Sequence, residues 1–312
     1  MDSARLRSAT IYVDPRLGKE PTESLALRVE DAEVCVATSP LPDTGRSAIY
    51  VGANLVAGAS PEDFAWVHAS TAGVDTFLGA ARWPETTLLT RTVGGMGVRI
   101  AEYVLATILA QAQQTRLLDR CQQGKQWFRH VPSEIAGTKA LILGAGRIGQ
   151  AIGSLLKACS VETHATARTT RSSDLFTSVL PTSEALRRNW DANWLIAALP
   201  LTRNTRDLID FEFLSQLDDA FFVNVGRGET LVDDDLLHAL EVGHVNGAAL
   251  DVFRQEPLPS HSPFWSHSKI SVTPHIAGIT RTDDIVEDFI SVRTALMKGR
   301  RSSLAVDPVR GY

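Results

Sequence analysis

The sequence predicts an α/β protein built as two doubly wound parallel sheets, and three observations carry that prediction. Short apolar runs alternate with helical or polar stretches along nearly the whole chain, the pattern of repeated βα units rather than of hairpins. One unit carries a glycine-spaced turn, Gly144-Ala145-Gly146-Arg147-Ile148-Gly149, between an apolar run at 140–143 and a periodic helix. A stretch free of Gly and Pro, 98–123, is suited to carry the chain from one domain to the other.

The first domain is read from apolar runs at Thr10–Val13, 33–37, 48–51, 66–70 and 87–90. Between the last two lies Ser70-Thr71-Ala72-Gly73-Val74-Asp75, a strand-to-helix turn. Backbone N–H groups at such a helix start favour a carboxylate, although the plainer reading is an ordinary βα connection. From 98 to 123, Ile100, Val104, Ile108, Leu109 and Ala112 recur at helical spacing, which predicts one helix of roughly 40 Å. Gly124 ends it. The loop 125–135 then brings Trp127, Phe128 and His130, as packing between domains or between subunits.

In the glycine turn each glycine has its own task. Gly144 permits the tight turn, Gly146 lets a pyrophosphate approach the backbone, and Gly149 lets helix and strand pack closely. Ile148, Ile152, Leu155 and Leu156 continue at helical spacing, and a second strand begins near Val161. This is a Rossmann-type dinucleotide site. An NAD site expects an acid at the end of the second strand, for the ribose hydroxyls. Here the chain reads Thr166-Ala167-Arg168-Thr169-Thr170-Arg171, with no carboxylate before Asp174. Guanidinium forks and hydroxyls suit a 2′-phosphate, so NADP(H) is favoured with NAD(H) second. The alternative is that Arg168 and Arg171 are solvated loop charges.

The βα alternation resumes with strands at 194–199, 220–225, 247–250 and 270–273. Helices are read at 211–217 and Asp233–Val242, the second stopped by Gly243. A helix at 281–299 returns to the first domain. Doubly wound sheets bind ligands past the carboxyl ends of their strands, and Arg227, Glu256 and His275 each stand there. Singly, each is as readily a turn residue or a surface charge. Together they form an acid/base set. Reducing a 2-oxo acid needs a cation for the carboxylate and carbonyl, a proton donor for the developing alkoxide, and a hydride source. Arg227 suits the first role and His275 the second. Glu256 is the carboxylate that orients the imidazole and favours its protonated form.

Composition narrows the class. The chain's 312 residues accommodate two domains, and 44% hydrophobic with 21% charged residues is ordinary for a globular protein. A net charge of −5 with no basic block argues against nucleic acid. Cys35, Cys121 and Cys159 are odd in number and lack metal-ligand spacing, so reduced, buried thiols are expected, with no disulfide framework and no metal. No leader-like or membrane-spanning run is visible, and a cytoplasmic location is expected.

At these motifs the chain resembles the D-isomer-specific 2-hydroxyacid dehydrogenases, and within them it is most similar to the glyoxylate/hydroxypyruvate reductase A group. The likeness covers nearly the whole chain. It rests on Gly73-Val74-Asp75, Gly95-Met96-Gly97, the glycine turn, Asn224-Val225-Gly226-Arg227-Gly228, Leu250-Asp251-Val252-Phe253, Glu256-Pro257-Leu258-Pro259, Thr273-Pro274-His275 and Val309-Arg310-Gly311-Tyr312. The two long helices, 98–123 and 281–299, mark the crossings between a flavodoxin-like substrate domain of residues 1–98 and 283–312 and a dinucleotide domain of residues 99–282, with a cleft expected between them. The resemblance makes His275 the general acid/base, Glu256 its partner and Arg227 the substrate anchor, with Ala72, Gly73 and Val74 offering N–H groups to the substrate carboxylate. For the cofactor it implies Arg147 and Ile148 at the pyrophosphate, and Arg168, Thr169 and Arg171 at the 2′-phosphate. Leu199, Pro200 and Thr205 would follow on the adenosine and diphosphate side. Val225, Gly226, Asp251, Ala277 and Gly278 would line the nicotinamide, Asp251 supporting its carboxamide.

The family also implies a homodimer. One departure bears on substrate size, because the reductase A group tends to place a Trp where this chain has Val51-Gly52-Ala53. Glu256-Pro257, in place of Gln-Pro, argues against a formate dehydrogenase. Two other readings remain open at this point. One is a dinucleotide-binding sensor or corepressor-like protein, against which the Arg168 region speaks; the other is a dehydrogenase of a bulkier D-2-hydroxy acid.

Overall fold

The computed structural model describes residues 6–41, 48–79 and 83–311. Tyr312, part of the terminal motif, lies outside them. The chain divides into two compact units, Met1–Gly95 with Thr280–Tyr312, and Met96–Ile279. The crossings thus fall after Gly95 rather than 98, and after Ile279 rather than 282.

The first unit is a five-stranded parallel sheet of β1 (Thr10–Val13), β2 (Glu33–Val36), β3 (Ile49–Gly52), β4 (Trp66–Ala69) and β5 (Leu88–Arg91), in the order β2-β1-β3-β4-β5. That is the flavodoxin-like order. Strands β3 and β4 are buried at every position, as expected of a parallel sheet covered on both faces. One face packs Leu6, Ile11, Val13, Leu25 and Trp66 with Ile285, Val286, Phe289 and Val292 of the carboxyl-terminal helix, Thr282–Met297. The Trp66 and Phe289 rings stack at 4.6 Å and 5°. The other face buries Tyr12, Tyr50, Phe64, Val67 and Leu89. Helix α1 (Glu20–Arg28) follows β1 and the single turn α2 (Asp75–Leu78) follows β4.

A fully buried histidine lies in this sheet. The Thr92 hydroxyl donates to the Ala69 carbonyl at 3.0 Å, so at 3.1 Å it must accept from His68 Nε2. The Thr90 hydroxyl accepts from Trp66 Nε1 at 2.7 Å, which leaves its proton for His68 Nδ1 at 2.7 Å. Every polar atom is satisfied with the ring neutral, and no acceptor remains for a second ring proton.

The second unit is a seven-stranded parallel sheet in the order β12-β11-β10-β9-β6-β7-β8. Its strands are β6 (Lys139–Leu143), β7 (Glu162–Ala167), β8 (Ser178–Pro181), β9 (Trp194–Ala197), β10 (Ala220–Asn224), β11 (Val245–Leu250) and β12 (Ile270–Val272). The glycine turn joins β6 to α5 (Arg147–Ala158). The remaining helices are α6 (Thr182–Ala185), α7 (Phe211–Leu214) and α8 (Asp233–Val242), and the carboxyl-terminal helix of the first unit is α9. The short α7 stops before the expected 217, at a C-cap on Ser215. Among the described residues no helix is long and apolar enough to cross a membrane and no His/Cys/Asp/Glu group could hold a metal ion.

Two expectations are corrected and one strand is added. The predicted helix over 98–123 is two helices, α3 (Met96–Ala112) and α4 (Thr115–Gln123), with Gln114 in the left-handed region at φ 52°. Tertiary groups take over the end of α3: the Ser133 N–H donates to the Ala112 carbonyl at 3.0 Å, and His130 Nε2 lies 3.2 Å from the Gln113 carbonyl. The loop 125–135 therefore caps a helix, while its Trp127 is 94% exposed. Strand β8 was not expected, because only Val179 of its four residues is buried. It forms the sheet edge and ends on Pro181, where a missing N–H is tolerated. All three cysteines are free, but only Cys121 is buried, Cys35 and Cys159 being partly exposed.

Burial pushes the His68 pKa down to about 3. The unfolded chain binds this proton near pH 6.5 and the native ring refuses it, so the group takes stability away as pH falls from about 6.5 toward 3 and contributes nothing above that window. At pH 4.5 the difference is on the order of 2–3 kcal/mol. Urea unfolding at pH 7 and pH 4.5 should show that loss for the natural protein and a clearly smaller one for His68→Gln. An equal loss in both would contradict the neutral ring.

Candidate active site

Past the carboxyl end of β6, Gly144 turns at φ 110°. The end of β7 fastens this turn: the Gly144 N–H donates to Thr166 Oγ1 at 3.1 Å and the Ala145 N–H to the Thr166 carbonyl at 2.7 Å. A Cβ at Gly149 would lie 1.9 Å from the Gly144 carbonyl oxygen, so no larger residue fits there. Gly146 has open space around its missing side chain and N-caps the 12-residue helix α5 with no side-chain capping bond. The turn thus presents an open, unblocked helix start, which suits a pyrophosphate. Arg147 is exposed and Ile148 half-buried beside it.

Arg168, Thr169 and Arg171 are exposed on the loop after β7. Arg171 reaches back to this turn, its Nη2 donating to the Ala145 carbonyl, which Gln150 Nε2 also meets at 3.1 Å. Thr166, in the same stretch, is buried and occupied with the turn itself.

Beyond β9, Leu199 is buried and Thr205 closes the next turn, donating to the Pro200 carbonyl at 2.6 Å and accepting from the Thr202 N–H at 2.8 Å. Beyond β10, the buried Asn224 accepts from the Gly226 N–H at 3.1 Å and donates to the Arg227 carbonyl at 3.3 Å. Val225 and Gly226 are buried, while Arg227 is part-exposed with Nη1 donating to the Gly226 carbonyl at 2.8 Å. A Cβ at Gly228 would stand 1.9 Å from the Phe253 carbonyl carbon, so the Arg227 loop rests directly on the backbone of the Glu256 loop. Arg254 ties that loop further to Asp207 and the Leu231 carbonyl.

Glu256 and His275 meet. Glu256 Oε1 accepts from the Phe253 N–H at 2.9 Å, and Oε2 lies 2.8 Å from His275 Nδ1. A carboxylate oxygen accepts, so Nδ1 carries a proton and Nε2 is the atom left for exchange with a ligand. The imidazole is 49% exposed. His275 itself sits at φ 54°, unusual for a residue with a Cβ. Its N–H donates to the Asp251 carbonyl at 2.8 Å. The buried Asp251 carboxylate accepts from Thr273 Oγ1 at 2.6 Å, the Ile276 N–H at 2.9 Å and the Ala277 N–H at 2.9 Å.

Ala72, Gly73 and Val74 lie in the first unit, in the turn between β4 and α2. Thr71 Oγ1 donates to the Gly73 carbonyl at 2.8 Å, and Arg91 Nη1 to the Ala72 carbonyl at 3.3 Å. Arg91 escaped the sequence reading, and Asn224 and Thr273 entered it only as members of quoted motifs, with no role assigned. Each stands at the carboxyl end of a strand, the place that singled out Arg227, but without a flanking glycine to mark it.

A parallel seven-stranded sheet with this helix start and an imidazole–carboxylate pair past its strand ends defines a dinucleotide-binding oxidoreductase. Comparison with known proteins makes the class specific. Residues 105–277 match the family model described as D-isomer specific 2-hydroxyacid dehydrogenase, NAD binding domain. An uncharacterized protein in the mprR 3′ region of Streptomyces coelicolor is 39% identical over 79% of this chain and 89% of its own. Glyoxylate/hydroxypyruvate reductase A of Yersinia enterocolitica is 34% identical over 81% of this chain and 83% of its own. A D-isomer specific 2-hydroxyacid dehydrogenase of Xanthobacter autotrophicus, solved with NADPH and MES, superposes with a TM-score of 0.88 at 26% identity, covering 98% of this chain and 99% of that one. The chain belongs to the D-isomer specific 2-hydroxyacid dehydrogenase family.

The close approach at Gly228 predicts that Gly228→Ala lowers stability by about 1–3 kcal/mol or more, since backbone rather than a movable side chain must give way. Thermal or urea unfolding within 0.5 kcal/mol of the natural protein, about the scatter of a neutral surface substitution, would contradict this packing.

Proposed function

We propose that this chain reduces a small 2-oxo acid of the glyoxylate or hydroxypyruvate kind to the 2-hydroxy acid, using NADPH, with His275 as the general acid. The observation that carries the reading is the His275–Glu256 contact at 2.8 Å, with the imidazole half exposed past a strand end of the dinucleotide sheet. Glu256 holds Nδ1, which aims the proton on Nε2 outward, where it can pass to the developing alkoxide. Arg227 supplies positive charge for the substrate's carboxylate and carbonyl oxygens, and Ala72, Gly73 and Val74 are the proposed backbone donors to the carboxylate. The nicotinamide, when bound, supplies the hydride. Gly144, Gly146, Arg147, Ile148 and Gly149 are the proposed pyrophosphate cradle. Leu199, Pro200 and Thr205 are assigned to the adenosine and diphosphate side. Val225, Gly226, Asp251, Ala277 and Gly278 are assigned to the nicotinamide.

The cofactor preference rests on Arg168, Thr169 and Arg171 in a stretch without a carboxylate before Asp174. The Xanthobacter relative was solved with NADPH, which supports the same choice. A second reading, a dehydrogenase for a bulkier D-2-hydroxy acid, rests on Val51-Gly52-Ala53 at the end of β3, where the reductase A group tends to carry a Trp. A Cβ at Gly52 would lie 2.7 Å from Asp14 Cβ and from Tyr50 Cε1, so a Trp cannot be placed at that position. A cytoplasmic homodimer is the form we propose on the family likeness.

The deciding experiment is optical: oxidation of NADPH and of NADH against glyoxylate, hydroxypyruvate, pyruvate and phenylpyruvate. Fastest turnover of NADPH with the two smaller acids is expected. Preference for phenylpyruvate would favour the second reading, and tight cofactor binding without turnover would favour a sensor.

Reduction should fall as pH rises and the imidazolium loses its proton, while oxidation of the hydroxy acid gains, since that direction needs the neutral ring. Glu256→Gln removes the carboxylate that holds Nδ1, so turnover should fall. His275→Ala should cut turnover by about 10²–10⁴ while leaving NADPH affinity nearly intact. Near-normal turnover in that variant would require another donor.

Arg168→Ala should weaken NADPH by roughly 10- to 150-fold, the worth of a charge-assisted contact, with little change for NADH. Equal losses in titrations of the two cofactors would remove Arg168 from the phosphate site.

A further inference from the structure

We propose that Tyr103, on α3, is a positioning residue for His275, acting through a hydrogen-bonded chain that runs from its hydroxyl by way of Thr273 to the Asp251 carboxylate. This rests on the reading of His275 as the general acid. Tyr103 Oη lies 2.7 Å from Thr273 Oγ1, and Thr273 Oγ1 lies 2.6 Å from Asp251 Oδ1. Donor counting gives the chain a direction. Asp251 Oδ1 already accepts the Ile276 N–H at 2.9 Å and acts as an acceptor, so the single Thr273 proton points to it. Thr273 can then only accept from Tyr103, which must donate. Burial pushes the Tyr103 pKa up to about 12, keeping that proton in place across the neutral range.

The same face of α3 grips the other end of the segment. A Cβ on Gly278 would lie 2.8 Å from Ile100 Cδ1 and 2.9 Å from Met96 Cγ. Met96, Ile100 and Tyr103 are spaced by four and three residues, one stripe of a helix. This stripe holds residues 273–278 at both ends, and Asp251 holds the middle through the Ile276 and Ala277 N–H groups. His275 lies between those anchors at φ 54°, a backbone setting that a residue with a Cβ adopts only where its surroundings enforce it. Removing the Tyr103 hydroxyl frees Thr273 to rotate away from Asp251, and the loop then relaxes the aim of the imidazole at Glu256.

Two readouts test this on the full-length protein. Amide hydrogen exchange should rise at Ile276 and Ala277 in Tyr103→Phe, a result independent of turnover. Steady-state reduction of glyoxylate by NADPH should show kcat lowered roughly 3- to 10-fold, the worth of one buried hydrogen bond, with KM for NADPH within about twofold and a changed pH profile. Thr273→Ser should retain activity, Thr273→Val should lose it, and the double variant Tyr103→Phe/Thr273→Val should lose no more than Thr273→Val alone. Unchanged exchange at the two amides would overturn the proposal. So would raised exchange with natural kcat and pH profile, or independent, multiplying losses in the double variant. Wild-type protein that reduces no 2-oxo acid would instead sink the underlying reading, and the assignment to His275 with it.

Discussion

The Asp251 carboxylate is the point from which the candidate site is arranged. It sits at the end of β11, buried, and gathers one hydroxyl and two backbone N–H groups from the chain that follows β12. Its own carbonyl takes the His275 N–H. The His275 N–H also meets the Thr273 carbonyl at 3.0 Å, and its side chain meets Glu256, so the left-handed backbone is held both from within the segment and from Asp251. Glu256 is fixed in turn by the Phe253 N–H, and the Phe253 backbone supports Gly228 beside Arg227. The three candidate residues Arg227, Glu256 and His275 therefore depend on one another through backbone contacts at 251–256, and a change that loosens one loop is felt in all three.

The expected role of Asp251 at a nicotinamide carboxamide is compatible with this only in part of its capacity. Oδ1 already accepts two bonds and Oδ2 one. A carboxylate oxygen accommodates about two acceptor directions, so Oδ2 is the oxygen with room for a further donor. At the carboxyl end of β6, in the interior of the same sheet, the glycine turn is built with the same economy. Thr166 fastens it from β7, and Arg171 braces it through the Ala145 carbonyl.

Most strands were legible in the sequence because parallel sheets bury both faces, so β3 and β9 read as apolar runs, β10 as one up to Asn224, and β4 as one interrupted only by His68. Strand β8 was not, since one buried residue in four gives no run. Arg227, Glu256 and His275 were legible from their places past strand ends, beside glycine and proline. What local pattern does not carry is contact across the chain. The bond from Thr273 to Asp251 joins positions 22 apart, and that from Tyr103 to Thr273 joins positions 170 apart. The break at Gln114 is of the same kind, imposed by His130 and Ser133 on a stretch whose own periodicity continues through it.

The central claim is that Glu256 holds one nitrogen of His275 so that the other is free to exchange a proton with substrate. Nitrogen NMR of histidine-labelled protein at neutral pH measures this directly, with His275→Gln as the assignment control. The expected spectrum shows a protonated, hydrogen-bonded Nδ1 whose signal changes in Glu256→Gln. A deprotonated Nδ1, or spectra of His275 indifferent to the loss of the Glu256 charge, would contradict it.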